Sequence, residues 1–219
     1  YRIVRSPDDA AEAVRENVEL GADVIKIYSN NTPNRGSLSV EEMQAIVATA
    51  TRLGVRVAAH ATSDDAVYRA ALAGVHSIEH AYQVSDSTLA LMARNKVVMV
   101  PTDIDSATFQ RLMTSDAQRN GRPAPSASQI AQYLAPQRAR AMRALAAGVT
   151  IAAGSDNYLN MRMPQGEAAR KVLLSYGQAG MTGTQILQAA TIHAARLIGP
   201  RARIGAIKPQ ASDLVVGDA

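Results

Sequence analysis

The 219-residue chain contains no cysteine and no tryptophan, and its aromatic residues are seven tyrosines and one phenylalanine. Without cysteine it can form no disulfide, no thiolate nucleophile, no cysteine-ligated zinc site and no iron–sulfur centre. The absence of cysteine does not identify the cellular compartment. Any metal, however, must be held by histidine, carboxylate or a modified lysine. The net charge of +4 comes from scattered arginines and lysines without interleaved aromatic residues, so no nucleic-acid partner is predicted.

Long apolar runs are missing as well. No run approaches the roughly 18 to 20 residues that cross a bilayer, and the first residues lack the apolar core of a signal peptide, so no membrane span is predicted. The first residue is not methionine, and we expect the natural amino terminus to lie outside this chain. With 47% hydrophobic and 19% charged residues, the composition is typical of a globular protein.

Short apolar segments alternate along the chain with segments of helical spacing. The predicted strands are residues 24–29, 55–61, 77–82, 97–103 and 150–156. The predicted helices are residues 7–20, 40–53, 63–73, 86–95, 130–147, 167–179 and 184–198. Strands separated by helices imply right-handed β–α–β units and a parallel sheet covered by helices, so the predicted class is α/β.

A barrel is favoured over a doubly wound sheet, because the chain contains neither G-x-G-x-x-G nor G-x-x-x-x-G-K-[ST]. The stretch 104–128 contains Gly121, Pro123 and Pro125 and follows a predicted strand. We predict that it is an irregular lid over the site.

Each predicted strand ends in a polar residue: Lys26, His60, His80, Asp103 and Asp156. Each alone has an ordinary explanation, such as a solvated lysine, a hydrogen-bonded core histidine or a helix-capping aspartate. In a barrel, however, the carboxyl ends of the strands meet at one face, where the chemistry lies. Two imidazoles and a carboxylate converging there predict a divalent-metal site, with zinc as the first choice.

The other histidines are predicted to be structural. His76 and His80 match the H-x-x-E-H pattern of some metalloproteases, but that pattern needs a helix, and on a strand the two residues would lie roughly 13 Å apart. We therefore expect His76 at the opposite end of the strand and His193 in a late helix. Strand alternation places Glu79 towards the helix layer.

Four motifs, GADVIKIYS, VRVAAHAT, AGVHSIEHAY and GVTIAAGSD, resemble successive strand ends of the metal-dependent amidohydrolase superfamily, in its imidazolonepropionase-like and Xaa-Pro dipeptidase-like branch. The resemblance implies a (β/α)8 TIM-type barrel of which this chain holds about strands four to eight. Residues 1–202 would be the carboxyl-terminal part of that barrel. Residues 203–219 would begin the strand that returns to a small β-sandwich.

The resemblance also implies the chemistry. Lys26 would be carboxylated and bridge two divalent metal ions, expected to be zinc, while His60 and His80 would hold one of them. Asp156 would contact the other and act as general base while metal-activated water attacks the carbonyl carbon. The implied reaction is hydrolysis of a C–N bond in a small amide, dipeptide-like or cyclic amide substrate.

Three further residues are candidate substrate contacts. Tyr28 and Tyr82 follow two of the strand-end residues and offer an apolar ring with a polar tip, although packing at the strand end is an equal alternative. Arg162 could clamp a substrate carboxylate, and a solvated loop arginine is the simpler interpretation.

The chain also departs from the family pattern. The H-x-H motif of the first barrel strand is absent, and five strands are too few to close a barrel, so we hypothesise a missing amino-terminal segment or chain. Two alternatives stay open: a lyase that forms a Schiff base on Lys26, and a non-catalytic barrel fragment that needs its missing half. Association into homo-oligomers is not decided by the sequence.

Overall fold

A computed structural model of the protein describes residues 2–30, 37–157, 163–199 and 204–206. In these ranges four parallel strands form one sheet in chain order. The strands are β1 (Val24–Tyr28), β2 (Arg56–Ala61), β3 (Ser77–His80) and β4 (Val98–Val100). The parallel, helix-separated order confirms the predicted α/β class.

The helices in the described ranges are α1 (Pro7–Glu19), α2 (Val40–Arg52), α3 (Asp64–Ala73), α4 (Asp86–Arg94), α5 (Ser106–Arg119), α6 (Ala127–Ala146), α7 (Gln165–Arg170), α8 (Val172–Ala179), α9 (Gly183–Gln188) and α10 (Ala194–Ile198). A π-helical turn at Ala189–His193 joins α9 to α10. None of these helices is long and apolar enough to cross a membrane.

Local sequence signals explain where the helices begin and end. At α2 the Ser39 side chain accepts from the backbone N–H of Glu42, whose carboxylate accepts from the N–H of Ser39, so two otherwise unpaired donors are satisfied. Helix α3 ends at Gly74, whose φ of 83° is the left-handed conformation that favours glycine. These ends set the lengths of the connections that align β1, β2 and β3.

The two faces of the sheet differ in burial. The face turned to the helices carries fully or nearly fully buried apolar residues, namely Ile25, Ile27, Val57, Ala59, Ile78 and Met99. Removing a large apolar side chain from water contributes roughly 1.5–3 kcal/mol, so this layer fixes the strands against the helices. The opposite face carries Lys26, His60 and Glu79, which keep solvent access.

Two of the predicted elements are wrong in detail. Within the described ranges the predicted strand 150–156 pairs only through one bridge, between Ile151 and Met99 of the three-residue strand β4. The predicted lid 104–128 is largely the regular helix α5, which begins at Asp105 with its carboxylate accepting from two backbone N–H groups. Phe109 of α5 stacks on Tyr133 of α6, with ring centroids 4.8 Å apart, so the segment is packed on its neighbour.

The late helical region is also more divided than predicted. The expected helix 167–179 is split between α7 and α8 at Lys171, and the expected helix 184–198 contains the π-helical turn. This turn bonds to the segment after Ile151: the Ala189 carbonyl accepts from the N–H of Ala153 at 2.9 Å. It therefore anchors the segment that leads to Asp156.

Candidate active site

The carboxyl ends of the strands bring the predicted site residues together. The imidazole rings of His60 and His80 lie with their centroids 4.6 Å apart, edge to face. The Tyr28 ring flanks His60 at 5.1 Å and the Tyr82 ring flanks His80 at 5.3 Å. Nε2 of His80 lies 3.8 Å from a carboxylate oxygen of Asp156.

Lys26 lies on the same face of the sheet, on β1. It keeps solvent access, but partial burial lowers the pKa of its ammonium group, while the carboxylates of Glu79 and Asp156 act in the opposite direction. A lowered pKa increases the neutral amine, which is the form that reacts with carbon dioxide or a carbonyl group.

Both histidines are held in their uncharged form. Burial lowers the pKa of His80 to about 4, with His60 acting in the same direction and Asp156 against it. Burial also lowers the pKa of His60, and the positive charge of Lys26 adds to the effect. Neutral imidazole is the form that ligates a metal, so both rings are ready to do so at neutral pH.

The backbone of the site is strained. Within the described ranges five non-glycine residues have positive φ, and four of them lie at strand ends: His80 (77°), Ala81 (46°), Thr102 (56°) and Asp156 (44°). Such conformations cost free energy and persist only where the surroundings impose them, and they concentrate at functional sites. The strain marks the same end of the sheet as the side chains do.

The strain at His80 corrects the predicted direction of Glu79. Glu79 is paired in register with His60, so both point to the same face, away from the helices. The left-handed φ of His80 breaks the alternation at the next residue, which brings His80 to this face as well. Burial raises the pKa of the Glu79 carboxyl, and the Lys26 charge opposes that effect. The sequence analysis therefore missed Glu79 as a site residue.

Thr102 was missed too. Its hydroxyl oxygen lies 2.8 Å from Nδ1 of His80. A threonine after an apolar strand carries no distinctive sequence signal, and only the structure reveals the contact. Glu79 did carry a signal, since a charged residue inside a short apolar strand is unusual.

The remaining candidates lie elsewhere. Asp103 turns away to form an ion pair with Arg140 of α6. His76 accepts from the N–H of Val57 at 3.1 Å and immediately precedes β3, at the end opposite His80, as predicted. His193 lies in the π-helical turn and contacts the Ile151 carbonyl at 2.9 Å. Arg162 falls outside the described residues.

The candidate residues supply part of the donor set of a metal site. Among the described residues no group of three or more His, Cys, Asp and Glu side chains is arranged to hold a metal ion. The donors present are two neutral imidazoles and Asp156, next to a lysine of lowered pKa. This set fits part of a divalent-metal site, and Lys26 would complete it only as a carbamate, whose oxygens can ligate.

The fold and this cluster define an α/β protein whose candidate site residues lie at the carboxyl ends of parallel strands. Residues 2–218 match the Amidohydrolase family, and the chain belongs to that family. This match confirms the resemblance predicted from the four motifs and the fold class, part of an amidohydrolase barrel.

Similarity to individual relatives supports the family assignment. The chain is 29% identical over 203 residues to ochratoxinase of Aspergillus niger, covering 89% of this chain and 40% of that protein. It is 32% identical over 161 residues to an uncharacterized protein of Mycobacterium bovis, covering 74% and 42%. The crystal structure of a Xaa-Pro dipeptidase with bound methionine matches with a TM-score of 0.74 and 27% identity over 94% of this chain and 50% of the other. The chain thus spans about half of these relatives or less.

Proposed function

We propose that this chain supplies part of the active site of a metal-dependent amidohydrolase that cleaves a C–N bond in a small amide, dipeptide-like or cyclic amide substrate. The observation that carries the proposal is the juxtaposition of two neutral imidazoles, His60 and His80, with the carboxylate of Asp156 at one sheet edge. Family membership and the similarity to ochratoxinase and a Xaa-Pro dipeptidase support it.

In this proposal His60 and His80 would hold one divalent ion, zinc first among the candidates, and Asp156 would hold a second. Lys26, as a carbamate, would supply further ligand oxygens. Bound ions would polarise the substrate carbonyl and lower the pKa of water. The lowered pKa of Lys26 supports carboxylation, because only the neutral amine reacts with carbon dioxide.

Asp156 would move the proton. Its side chain is 55% exposed, so both water and substrate can reach its carboxylate. It would take a proton from the attacking water and pass it to the leaving nitrogen, as a general base and then a general acid. The bonds of the π-helical turn to the preceding segment would hold the carboxylate near His80.

The substrate would lie between the tyrosines. The rings of Tyr28 and Tyr82 stand at the two ends of the row that His60 and His80 form, and Tyr82 is 48% exposed. Both could contact an apolar group of the substrate while their hydroxyls bind its polar atoms. We propose Arg162 as the clamp for a substrate carboxylate, since it follows Asp156 by six residues.

Metal content and hydrolysis, measured together on the full-length enzyme, test the proposal. Lys26→Ala should lower the bound metal and abolish hydrolysis of a panel of dipeptides and N-acyl amino acids. Asp156→Asn should lower turnover by about 10²–10⁴. Lys171→Ala, at the junction of α7 and α8, is the matched control and should retain both properties. Full metal content and activity in Lys26→Ala would contradict the assigned role.

One observation favours a second candidate. The lowered pKa of Lys26 is also what a Schiff-base lyase needs. Borohydride treatment with a carbonyl substrate would then attach the substrate to Lys26 and leave Lys26→Ala unlabelled. The proposed hydrolase predicts no such trapping. A full-length protein that neither binds zinc at micromolar concentration nor traps a carbonyl would favour the non-catalytic alternative.

A further inference from the structure

Thr102, immediately after Pro101 at the end of the β4 segment, has an unusual backbone. Its φ of 56° is in the left-handed region, where a β-branched residue is a genuine outlier. Glycine or asparagine would adopt this conformation at lower cost. Strain of this kind indicates that the threonine side chain contributes something that glycine or asparagine would not.

The hydroxyl of Thr102 has three polar neighbours. It donates to the carbonyl oxygen of Pro101 at 2.7 Å, and its oxygen lies 2.8 Å from Nδ1 of His80. The Tyr82 hydroxyl is a third polar neighbour: it hydrogen-bonds to Thr102 and lies 3.4 Å from the same Nδ1. A hydroxyl has one proton, and a carbonyl can only accept. With that proton directed to Pro101, the oxygen presents its lone pairs to His80 and Tyr82. Thr102 is the nearer neighbour of Nδ1, at 2.8 Å against 3.4 Å for Tyr82, so we assign the His80 proton to Nδ1.

This arrangement determines whether the other ring nitrogen, Nε2, carries a proton. In a neutral imidazole, a proton on Nδ1 leaves Nε2 with a free lone pair. Nε2 lies 3.8 Å from Oδ2 of Asp156, so a lone pair faces a carboxylate with no proton between them. Two electron-rich groups in this relation are stabilised by a cation between or beside them.

We propose that Thr102 is a positioning residue that holds His80 as the Nδ1–H tautomer and thereby directs Nε2 towards the metal side of the site. The inference rests on the proposed function for its purpose, but the tautomer itself is a property of the metal-free protein. Orienting partners of this kind affect metal affinity by about 10–100-fold.

Two matched variants separate the hydroxyl from the rest of the side chain. Thr102→Val keeps the β-branched shape and loses the hydroxyl, whereas Thr102→Ser keeps the hydroxyl. In the full-length, metal-free enzyme, nitrogen-15 NMR of the imidazoles should show His80 as Nδ1–H in the wild type and Thr102→Ser. Thr102→Val should show a mixed or reversed tautomer and bind zinc about 10–100-fold more weakly by competition with a chelator.

Thr102→Gly separates function from folding. Glycine relieves the strain at a positive φ, so this variant should unfold at an equal or higher temperature and yet bind zinc as weakly as Thr102→Val. A role in stability alone predicts the reverse: a changed unfolding temperature with unchanged tautomer and zinc affinity, which would overturn the inference. If the wild type binds no zinc, the proposed function fails, while the NMR tautomer still decides the role of Thr102.

Discussion

Arg140 of α6 donates from Nη2 to Oδ1 of Asp103 at 2.5 Å, and the two side chains are only 2% and 8% exposed. The guanidinium carbon also lies 5.5 Å from the ring centroid of Tyr82. A buried ion pair thus lies behind the site, beneath one of the tyrosines proposed to contact substrate. It shows why Asp103 does not join the candidate site: its carboxylate is paired with Arg140.

Asp103→Asn should lower the free energy of unfolding by about 3–5 kcal/mol, because it leaves a buried guanidinium without its counter-charge. Urea unfolding measures this loss. Glu12→Gln is the control, since the exposed Arg15–Glu12 pair should contribute less than about 0.5 kcal/mol. A loss in Asp103→Asn as small as that in the control would show that solvent reaches Arg140.

Gly154, two residues before Asp156, has no room for a side chain. A Cβ atom at this position would lie 2.6 Å from Cγ1 of Val100. Gly154→Ala should therefore displace the segment, cost about 1–3 kcal/mol of stability and reduce activity by misplacing Asp156. Gly166→Ala is the matched control, because no atom lies within 4 Å of a Cβ there.

The double variant Gly154→Ala with Val100→Ala tests the cause. Removing Cγ1 should restore part of the activity lost in Gly154→Ala, and the two stability changes should be non-additive. Simple additivity in unfolding and kinetic measurements would mean that the contact is not responsible.

The regular strands could be predicted in detail from the sequence, and the strand ends could not. In β1 and β2 the backbone stays extended throughout, and Lys26 and His60 lie on one face of the sheet, as strand alternation requires. Alternation failed for Glu79, because the prediction assumed extended backbone through His80, and the φ of His80 is left-handed. Tertiary contacts impose that conformation, and no residue type in the motif signals it.

The predicted lid failed for a different reason. Its glycine and prolines occupy only the connection between α5 and α6, whereas the preceding residues form α5 with Asp105 as its capping residue. Phe109 of α5 packs on Tyr133 of α6, and the buried residues of α5 are only Thr108 and Ala117, so its apolar stripe is narrow. The lid prediction thus assigned to α5 the irregular structure that its glycine and prolines indicate only for the connection.

The stability of the metal-free protein should fall as the pH is lowered from about 6.5 towards 4. The pKa of His80 is about 4 in the folded protein and 6.5 in the unfolded chain, so between these values the unfolded chain binds the proton and the folded protein does not. The expected contribution is on the order of 2 kcal/mol, somewhat less than the full shift because the ring stays partly hydrated.

His80→Asn tests this contribution, since an asparagine amide can replace the Nδ1–H donor but does not titrate. Its free energy of unfolding should vary less with pH than that of the wild type. Some dependence should persist, because burial also lowers the pKa values of His60 and His76. An unchanged pH slope in chemical denaturation would contradict the burial of a neutral His80.

Glu79→Gln should make Lys26 more reactive towards carbon dioxide. The Glu79 carboxylate raises the pKa of Lys26 and so favours its ammonium form, which cannot be carboxylated. Replacing the charge by an amide of the same shape should lower the pKa of Lys26 and raise the carbamate fraction at fixed pH and bicarbonate. Carbon-13 NMR of metal-free protein in labelled bicarbonate at alkaline pH measures this fraction.

Asp156→Asn should change the carbamate fraction in the same direction, and Glu12→Gln, on the exposed face of α1, should leave it unchanged. A lower carbamate fraction in Glu79→Gln would mean that Glu79 supports the modified lysine through hydrogen bonding rather than opposing it through charge.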